Sequence, residues 1–378
     1  LGQLGLNVAV SPVSSQRIVD RGVEAVVSTP CFPVKVAHGH VLELIDRGVD
    51  YLWLPSVITM RRDAAENEQN RLCPYVTSIP YQIEAAIELS NRNVEILKPP
   101  VRFQEGLRGL RKCLQTLGPQ LGVSRRRLNR AIDSAWQAQE DFEQACLRRG
   151  RQVLENLDPE RRAVVVVSRP YNGCDRRISL DLPGKLRKLD VLPIPMDYLD
   201  LRPGGPTGDR IFQNMYWKYG QRIMRAGELI REDPRLHAIY LSNFSCGPDS
   251  FLIGYFKRVM APKPSLVLEI DEHSADAGVV TRLEAFLESL DGTAAPPPEA
   301  ERKPLYPPET PASRERMLYI PWMGDQSYGL AAALRGHGQP AEVMSQGDQQ
   351  SLELGRRHSS GKECLPCIIT IGEMVDVC

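Results

Sequence analysis

The sequence lacks an excess of charge of either sign, because 47 lysines and arginines balance 47 aspartates and glutamates. A neutral chain produces no summed field that would draw it to DNA, RNA or an anionic lipid surface. Apolar runs such as Ala163–Val167 have only the length of a strand, whereas a membrane span needs about 20 residues. No basic segment followed by an apolar one precedes the first predicted strand. The sequence therefore predicts a cytoplasmic protein with no nucleic-acid partner and no membrane partner.

Nucleotide-binding motifs are also missing from the sequence. The phosphate-binding pattern G-x-x-x-x-G-K-S/T does not occur, since Ser360-Gly361-Lys362-Glu363 lacks both the first glycine and the hydroxyl. No G-x-G-x-x-G follows a predicted strand, and the nucleophile pattern G-x-S-x-G is absent. We therefore do not expect this segment itself to bind ATP or a dinucleotide.

Short apolar runs alternate with amphipathic segments along the 378 residues, 42% of which are hydrophobic. This pattern is typical of βαβ units with buried parallel strands. The predicted strands are Leu6–Val10, Glu24–Ser28, Asp50–Leu54, Ala163–Ser168, Val191–Pro193, His237–Leu241 and Ser265–Ile270. The predicted helices are Ser14–Asp20, Lys35–Arg47, Ile79–Asn91, Gly208–Arg231, Asp249–Met260 and Ala277–Ser289. The predicted fold class is α/β, with two Rossmann-like or flavodoxin-like parallel-sheet lobes.

Two apolar stripes predict a helical hairpin between these lobes. One stripe holds five leucines from Leu107 to Leu121, and Ser124 is a predicted N-cap for a second helix. The second stripe runs from Leu128 to Val153 and includes Phe142 and Cys146. The hairpin either joins the lobes with a solvated basic face or presents that face to a partner.

The domain prediction has five segments. They are a first α/β lobe over residues 1–100, the hairpin over 101–162, a second α/β lobe over 163–290, a linker over 291–313 and the start of a further α/β module over 314–378. Seven prolines in the fourth segment indicate an extended linker. Because the chain opens on Leu1 and closes on Cys378 directly after an apolar stretch, we expect both ends to continue in a longer polypeptide, with the last module truncated.

Nine cysteines at irregular spacings do not resemble a disulfide framework and indicate reduced thiols. Cys31, Cys73 and Cys246 each lie in a loop after a predicted strand, and ligands of open α/β sheets bind beyond the carboxyl ends of the strands. A helix N-terminus in such a loop favours the thiolate that binds metal. The long gaps between the three match no compact metal motif, however, so joint metal ligation and ordinary packing both remain open.

Three further features carry ionisable or thiol groups. Cys364 and Cys367 form a C-x-x-C pair that could hold a metal or form a redox disulfide. Cys174 follows the predicted strand Ala163–Ser168 and is an additional ligand candidate. The acidic sequence Asp271-Glu272-His273 either transfers protons or orients a neighbouring ligand, or it simply caps a helix.

Several longer stretches resemble one protein family. They are residues 31–41, residues 48–51 with Leu54-Pro55, residues 168–172, residues 215–221, residues 241–251 and residues 269–278. The chain resembles, over about residues 1–290, the uncharacterised domain of large CoA-enzyme activases, which is related to 2-hydroxyacyl-CoA dehydratase subunits and double-cubane-cluster reductases. Residues 360–367 resemble the second module of the same proteins.

The resemblance implies an iron–sulfur cluster, of the 4Fe–4S or double-cubane type, held between the lobes. It implies Cys31, Cys73 and Cys246 as ligands, with Cys364 and Cys367 as candidates from the second module. It further implies an actin/Hsp70-like ATPase, in the same longer chain or as a partner, as the only source of ATP coupling. An acyl-CoA substrate or a dehydratase is the other implied partner.

The sequence thus predicts the iron–sulfur module of an ATP-coupled 2-hydroxyacyl-CoA dehydratase activase or low-potential reductase. Such a module passes single electrons to a substrate or to a partner cluster. Asp271, Glu272 and His273 are expected near the cluster but not on it. The alternative is a zinc–thiolate or CoA-binding scaffold domain without redox activity.

Overall fold

A computed structural model describes residues 1–62, 69–89, 92–158, 160–202, 215–291, 315–361 and 363–377. The chain forms two compact units. The first contains Leu1–Pro248 and Leu252–Lys303, and the second contains Asp249–Phe251 and Pro304–Cys378. Within the described ranges, no helix combines the length and the hydropathy that crossing a bilayer requires.

A four-stranded sheet is the largest sheet of the first unit. It contains β5 (Ala163–Val167), β6 (Leu192–Pro195), β7 (Leu236–Asn243) and β8 (Ser265–Ile270), in the order β6-β5-β7-β8 and with every neighbouring pair parallel. All five residues of β5 are buried, as expected for a strand covered on both faces. The predicted α/β class, with parallel sheets, is confirmed.

Five α-helices lie in the described residues of this part of the chain. They are α7 (Pro170–Gly173), α8 (Leu182–Lys188), α9 (Lys218–Glu232), α10 (Gly247–Met260) and α11 (Asp276–Asp291). The predicted helix Gly208–Arg231 begins later than expected, at Lys218, and residues 208–214 lie outside the described residues. The other predicted strands and helices of this part match the structure to within a few residues.

The described residues of the amino-terminal part form three α-helices and four strands, and their arrangement differs from the prediction. They are α1 (Gln16–Ala25), α2 (Phe32–Asp46), β1 (Tyr51–Trp53), β2 (Ser56–Thr59), α3 (Pro74–Ala86), β3 (Glu95–Leu97) and β4 (Pro100–Arg102). The strands form two separate parallel pairs, β1 with β3 and β2 with β4, instead of one larger sheet. The predicted strands Leu6–Val10 and Glu24–Ser28 are wrong. Val8 and Val10 are exposed, and α1 continues through the start of the second segment.

The helices α1 and α2 help to bury the four-stranded sheet. Ile18 and Val19 of α1 and Phe32 of α2 belong to the same apolar cluster as Val164 and Val166 of β5. The next turns of α2 contribute Val41 and Ile45 to a second cluster with β1 and α3. The amino-terminal helices therefore connect the core of the large sheet with that of the small ones.

The hairpin consists of α4 (Gly106–Leu114), α5 (Leu117–Gln120) and the long α6 (Arg125–Glu155). The predicted cap is confirmed, because the Ser124 hydroxyl accepts a hydrogen bond from the Arg127 backbone N–H at 3.4 Å. Leucines of α4 and α5 pack against Leu128 and Ile132 of α6. Phe142, predicted on the apolar stripe, is instead 64% exposed.

From residue 315 onwards, the described residues of the second unit form one parallel strand pair and three helices. Its elements are β9 (Leu318–Ile320), α12 (Gln326–Gly336), β10 (Ala341–Val343), α13 (Gln349–Arg357) and α14 (Leu365–Val377). The order strand, helix, strand at its start is the α/β pattern expected of residues 314–378. Of the predicted linker, residues 292–313 lie outside the described residues.

Candidate functional site

The strand order creates a crevice at the carboxyl ends of β5 and β7. From β5 the chain continues to β6 on one side, and from β7 it continues to β8 on the other. The connections that leave β5 and β7 therefore run to opposite sides of the sheet and leave a crevice between them. Open α/β sheets bind ligands in a crevice of this kind. Arg169 follows β5 and Cys246 follows β7, and Nη1 of Arg169 donates to Sγ of Cys246 at 3.5 Å. The loops of both strands thus meet at this crevice.

Cys31, Cys73 and Cys246 share one local geometry. Each is the N-cap residue of a helix, respectively α2, α3 and α10, with an extended backbone and a proline in the first helical turn. The three helices have 15, 13 and 14 residues. Each sulfur therefore lies at the positive end of a helix dipole, where the first backbone N–H groups have no partner within the helix.

The loop before Cys246 has a tight backbone. Ser245 adopts a φ of 61°, a left-handed conformation that costs a non-glycine residue about 1–2 kcal/mol. The Cys246 N–H donates to the Asn243 carbonyl at 3.2 Å, and the Asn243 side chain donates to the Ile270 carbonyl at 3.2 Å. Hydrogen bonds to β8 therefore hold the turn in which Cys246 lies.

The loop before Cys73 lies between β2 and the segment that precedes α9. The backbone of Arg71 forms isolated β-bridges with Thr59 and with Trp217. The Lys218 N–H donates a hydrogen bond to the Arg71 carbonyl at 3.0 Å. Nε2 of Gln221 donates to the Gln69 carbonyl at 2.6 Å. Residues 215–221, one of the stretches that carried the family resemblance, thus fix the approach to Cys73.

Cys31 is positioned by the close crossing of α1 and α2. A Cβ atom on Gly22 would lie 2.0 Å from the Lys35 carbonyl oxygen, and one on Gly39 would lie 1.9 Å from that of Ile18. Only glycine permits this approach. Phe32, directly after Cys31, is 2% exposed and anchors the start of α2 in the core of the large sheet.

The three thiols all act electrostatically on one buried phenol, that of Tyr171. Burial raises the pKa of Tyr171 well above its usual value, Arg169 opposes this, and Cys73, Cys246 and Cys31 each raise it further. All three sulfurs are therefore within electrostatic reach of one hydroxyl group. Cysteines far apart in the sequence are brought to the same region of the first unit.

The donor set fits an iron–sulfur cluster in its chemistry, because it consists of thiols at helix N-termini with a guanidinium beside one sulfur. All eight cysteines of the described residues are present as thiols, without disulfides. In the same residues, no group of three His, Cys, Asp or Glu side chains is arranged to hold a metal ion.

The other candidate thiols lie elsewhere. Cys174 is the exposed C-cap residue of α7, and burial, Asp197 and Cys146 raise its pKa. Cys364 and Cys367 lie at the start of α14 in the second unit, where Cys364 is exposed. Burial, then Cys364 and Glu363, raise the pKa of Cys367, so this thiol is not poised as a thiolate.

Asp271, Glu272 and His273, which follow β8, have three different environments. Asp271 accepts hydrogen bonds from the Ser274 hydroxyl at 2.8 Å and the His273 N–H at 3.0 Å, as in a local turn. Burial opposes ionisation of Glu272, but an ion pair with Lys35 of α2 holds its pKa below the usual value. The His273 side chain is 85% exposed. Glu272 therefore ties the loop after β8 to the helix that Cys31 caps.

Sequence reasoning missed the residues that follow β5. Arg169 is 4% exposed and Asn172 is 1% exposed, and neither amide atom of Asn172 has a hydrogen-bond partner in the described parts of the chain. The sequence signal that could have identified them is the presence of polar residues directly after the buried valine strand β5. Their partners depend on the sheet order, which the sequence pattern does not specify.

Comparison with known proteins gives one match. No curated protein and no solved structure matches the chain significantly. A family profile described as "CoA enzyme activase uncharacterised domain" matches residues 1–199, more than half of the chain. These residues include Cys31, Cys73, Arg169 and Tyr171 of the crevice. The chain belongs to the CoA enzyme activase uncharacterised-domain family.

Proposed function

We propose that Cys31, Cys73 and Cys246 hold an iron–sulfur cluster in the crevice and that the chain serves as an electron-transferring module of a CoA-dependent dehydratase or reductase system. The observation that carries the proposal is the shared helix-cap position of the three thiols, and their common electrostatic effect on Tyr171 supports it. Membership of the CoA enzyme activase family supports the CoA-dependent context.

The chain's own groups suit anionic sulfur. Each of the three thiols lies at the positive end of a helix, and Arg169 adds a buried cation beside Cys246. Because burial keeps Tyr171 protonated, its hydroxyl remains a hydrogen-bond donor next to the sulfurs. A bound cluster supplies a one-electron redox centre, whose potential depends on hydrogen bonds to sulfur and on burial.

The proposed electron transfer requires a donor and an acceptor outside these residues. We propose that an actin/Hsp70-like ATPase, in the same longer chain or separate, delivers the electron in an ATP-dependent step. The acceptor is an acyl-CoA substrate or the cluster of a dehydratase. Mixing the anaerobically loaded chain with such an ATPase, ATP and a reductant should give ATP-dependent reduction, seen as bleaching of the visible absorption.

The proposal is tested by anaerobic reconstitution with iron and sulfide. The wild-type chain should bind about four iron and four sulfide atoms and become brown. Cys31→Ser, Cys73→Ser and Cys246→Ser should each lose most of this iron. Cys113→Ser is the matched control, because Cys113 is a half-buried thiol of α4 that does not act on Tyr171.

Two outcomes would overturn the proposal. The first is a colourless chain that binds stoichiometric zinc at the same cysteines, which would support the scaffold alternative. The second is iron binding that survives all three substitutions. Circular dichroism of each variant shows whether the fold is retained, so a loss of iron is not confused with unfolding.

A further inference from the structure

A cavity of about 360 Å³ opens beside the thiols, at the carboxyl ends of β5 and β6. Ser168, Pro170 and Cys174 line it, whereas Arg169 and Tyr171 of the same turn lie next to the cysteines. Neighbouring residues of α7 thus face two different sites. The volume lies in the lower part of the range for small-molecule sites, about 300–1,000 Å³.

The walls of the cavity are largely apolar. Val166 from β5, Ile194 from β6, Met196 from the turn that follows and Val153 from α6 contribute to them. The wall on the α6 side is held by a close contact, because a Cβ atom on Gly150 would lie 1.8 Å from the Tyr198 carbonyl oxygen. An apolar group of a ligand would find matching surface here.

The charge at the edge of the cavity is positive. Arg149 and Arg187 line the cavity, and neither guanidinium group forms a hydrogen bond or an ion pair among the described residues. Asp197 is the one carboxylate in the lining that the described chain provides, and it is neutralised by Arg222 at 2.8 Å. Two guanidinium groups are thus available to an anion, and guanidinium groups match carboxylate and phosphate geometry.

We propose that this cavity binds a small amphipathic organic anion. Its apolar body lies between α6 and β6, and its carboxylate or phosphate group is held by Arg149 and Arg187. The inference does not depend on iron, because none of the three thiols around Tyr171 lines the cavity. It is therefore tested on the metal-free chain.

The test is calorimetric titration with three six-carbon probes, namely hexanoate, hexyl phosphate and hexanol. At least one of the two anions should bind about tenfold or more tightly than hexanol, and their order shows which headgroup the arginines prefer. The double variant Arg149→Ala, Arg187→Ala should lose about tenfold in affinity for that anion. Arg148→Ala, Lys188→Ala is the matched control and should stay within about twofold, since these neighbouring cations do not line the cavity.

Cys174 provides a second readout inside the cavity. Alkylation of Cys174 by iodoacetamide at alkaline pH should slow when the anion binds, whereas exposed Cys364 of the second unit should react at an unchanged rate. Val153→Trp should fill the cavity and abolish the protection without unfolding the chain, because Val153 lies at the partly exposed wall of α6.

Three results would overturn the inference. They are equal affinity for hexanol and both anions, full affinity in the double arginine variant, and unchanged protection of Cys174 in a folded Val153→Trp chain. If iron reconstitution fails but anion binding follows the expected pattern, only the proposed redox function is wrong.

Discussion

Arg169 should decide how readily Cys246 carries negative charge. Its side chain is buried, with 4% exposure, and its Nη1 lies 3.5 Å from the Cys246 Sγ. A hydrogen bond to a charged group typically contributes about 1.5–3 kcal/mol. Because about 1.36 kcal/mol corresponds to a factor of ten, Arg169→Gln should reduce the thiolate fraction of Cys246 at neutral pH by about 10-fold to 150-fold.

The alkylation rate of Cys246 should fall by less than this. A more basic thiolate is a better nucleophile, with a Brønsted coefficient of about 0.4–0.5, so nearly half of the logarithmic loss is recovered. The expected decrease is therefore about 4-fold to 16-fold. Arg169→Lys keeps the charge but not the planar guanidinium group, and it should give an intermediate rate.

The assay follows the metal-free chain with iodoacetamide at pH 7 and quantifies the peptides that contain each cysteine by mass spectrometry. Cys364, which lies in the other unit, serves as an internal reference in every sample. Arg187→Gln is the control variant, because this exposed arginine lies at the cavity instead of at the thiols. A Cys246 rate that is unchanged in folded Arg169→Gln would refute the role of Arg169.

Three further predictions concern stability and are measured by urea denaturation. Gly39→Ala should lower the free energy of unfolding by about 1–3 kcal/mol because its Cβ would lie 1.9 Å from a backbone oxygen of α1, whereas Gly254→Ala, with open space around the new Cβ, should raise it by about 0.4–1 kcal/mol. Burial lowers the pKa of His237 to about 4, below its ordinary 6.5, so protonation favours the unfolded chain. This contribution to stability is complete above pH 6.5 and about 1–2 kcal/mol of it should be lost as the pH falls towards 4, a loss that His237→Gln should remove. Ser14→Ala removes a hydroxyl that lies 2.8 Å from Nε2 of His40 and should cost about 1–3 kcal/mol, and an unchanged midpoint would show that this contact contributes nothing.

The large sheet could be predicted from the sequence because its strands carry their own signal. The valine run Ala163–Val167 is apolar throughout, and every residue of it is buried. The segment Ser265–Ile270 forms a strand with the predicted bounds. Cys246 could be placed after a strand and before a helix because Pro248 marks the helix start, as the structure shows.

The amino-terminal part could not be predicted in the same way, because distant contacts determine it. The segment Leu6–Val10 is as apolar as a strand, yet no neighbouring strand pairs with it in the described residues, and Val10 is 74% exposed. The segment Glu24–Ser28 starts inside α1, whose course is set by the crossing at Gly22 and Gly39. A local apolar pattern does not contain this information.

The candidate site shows the same division between local and distant causes. Pro248 identified the helix that follows Cys246, whereas the helices after Cys31 and Cys73 begin at Phe32 and Pro74, earlier than the predicted Lys35 and Ile79. The neighbour that the three thiols share could not be predicted from their spacing. The loop that carries Tyr171 meets the loop that carries Cys246 because β5 lies beside β7. The identity of Arg169 as the partner of Cys246 follows from the same strand order.

The strand order also explains why two proposed sites lie next to each other. The loop after β5 borders the crevice with β7 on one side and the cavity with β6 on the other. The four-residue helix α7 in this loop therefore contributes residues to both sites. Arg169 and Tyr171 act on the thiols, while Pro170 and Gly173 line the cavity. A change in this turn would alter both sites together, whereas a change at Arg149 would alter only one.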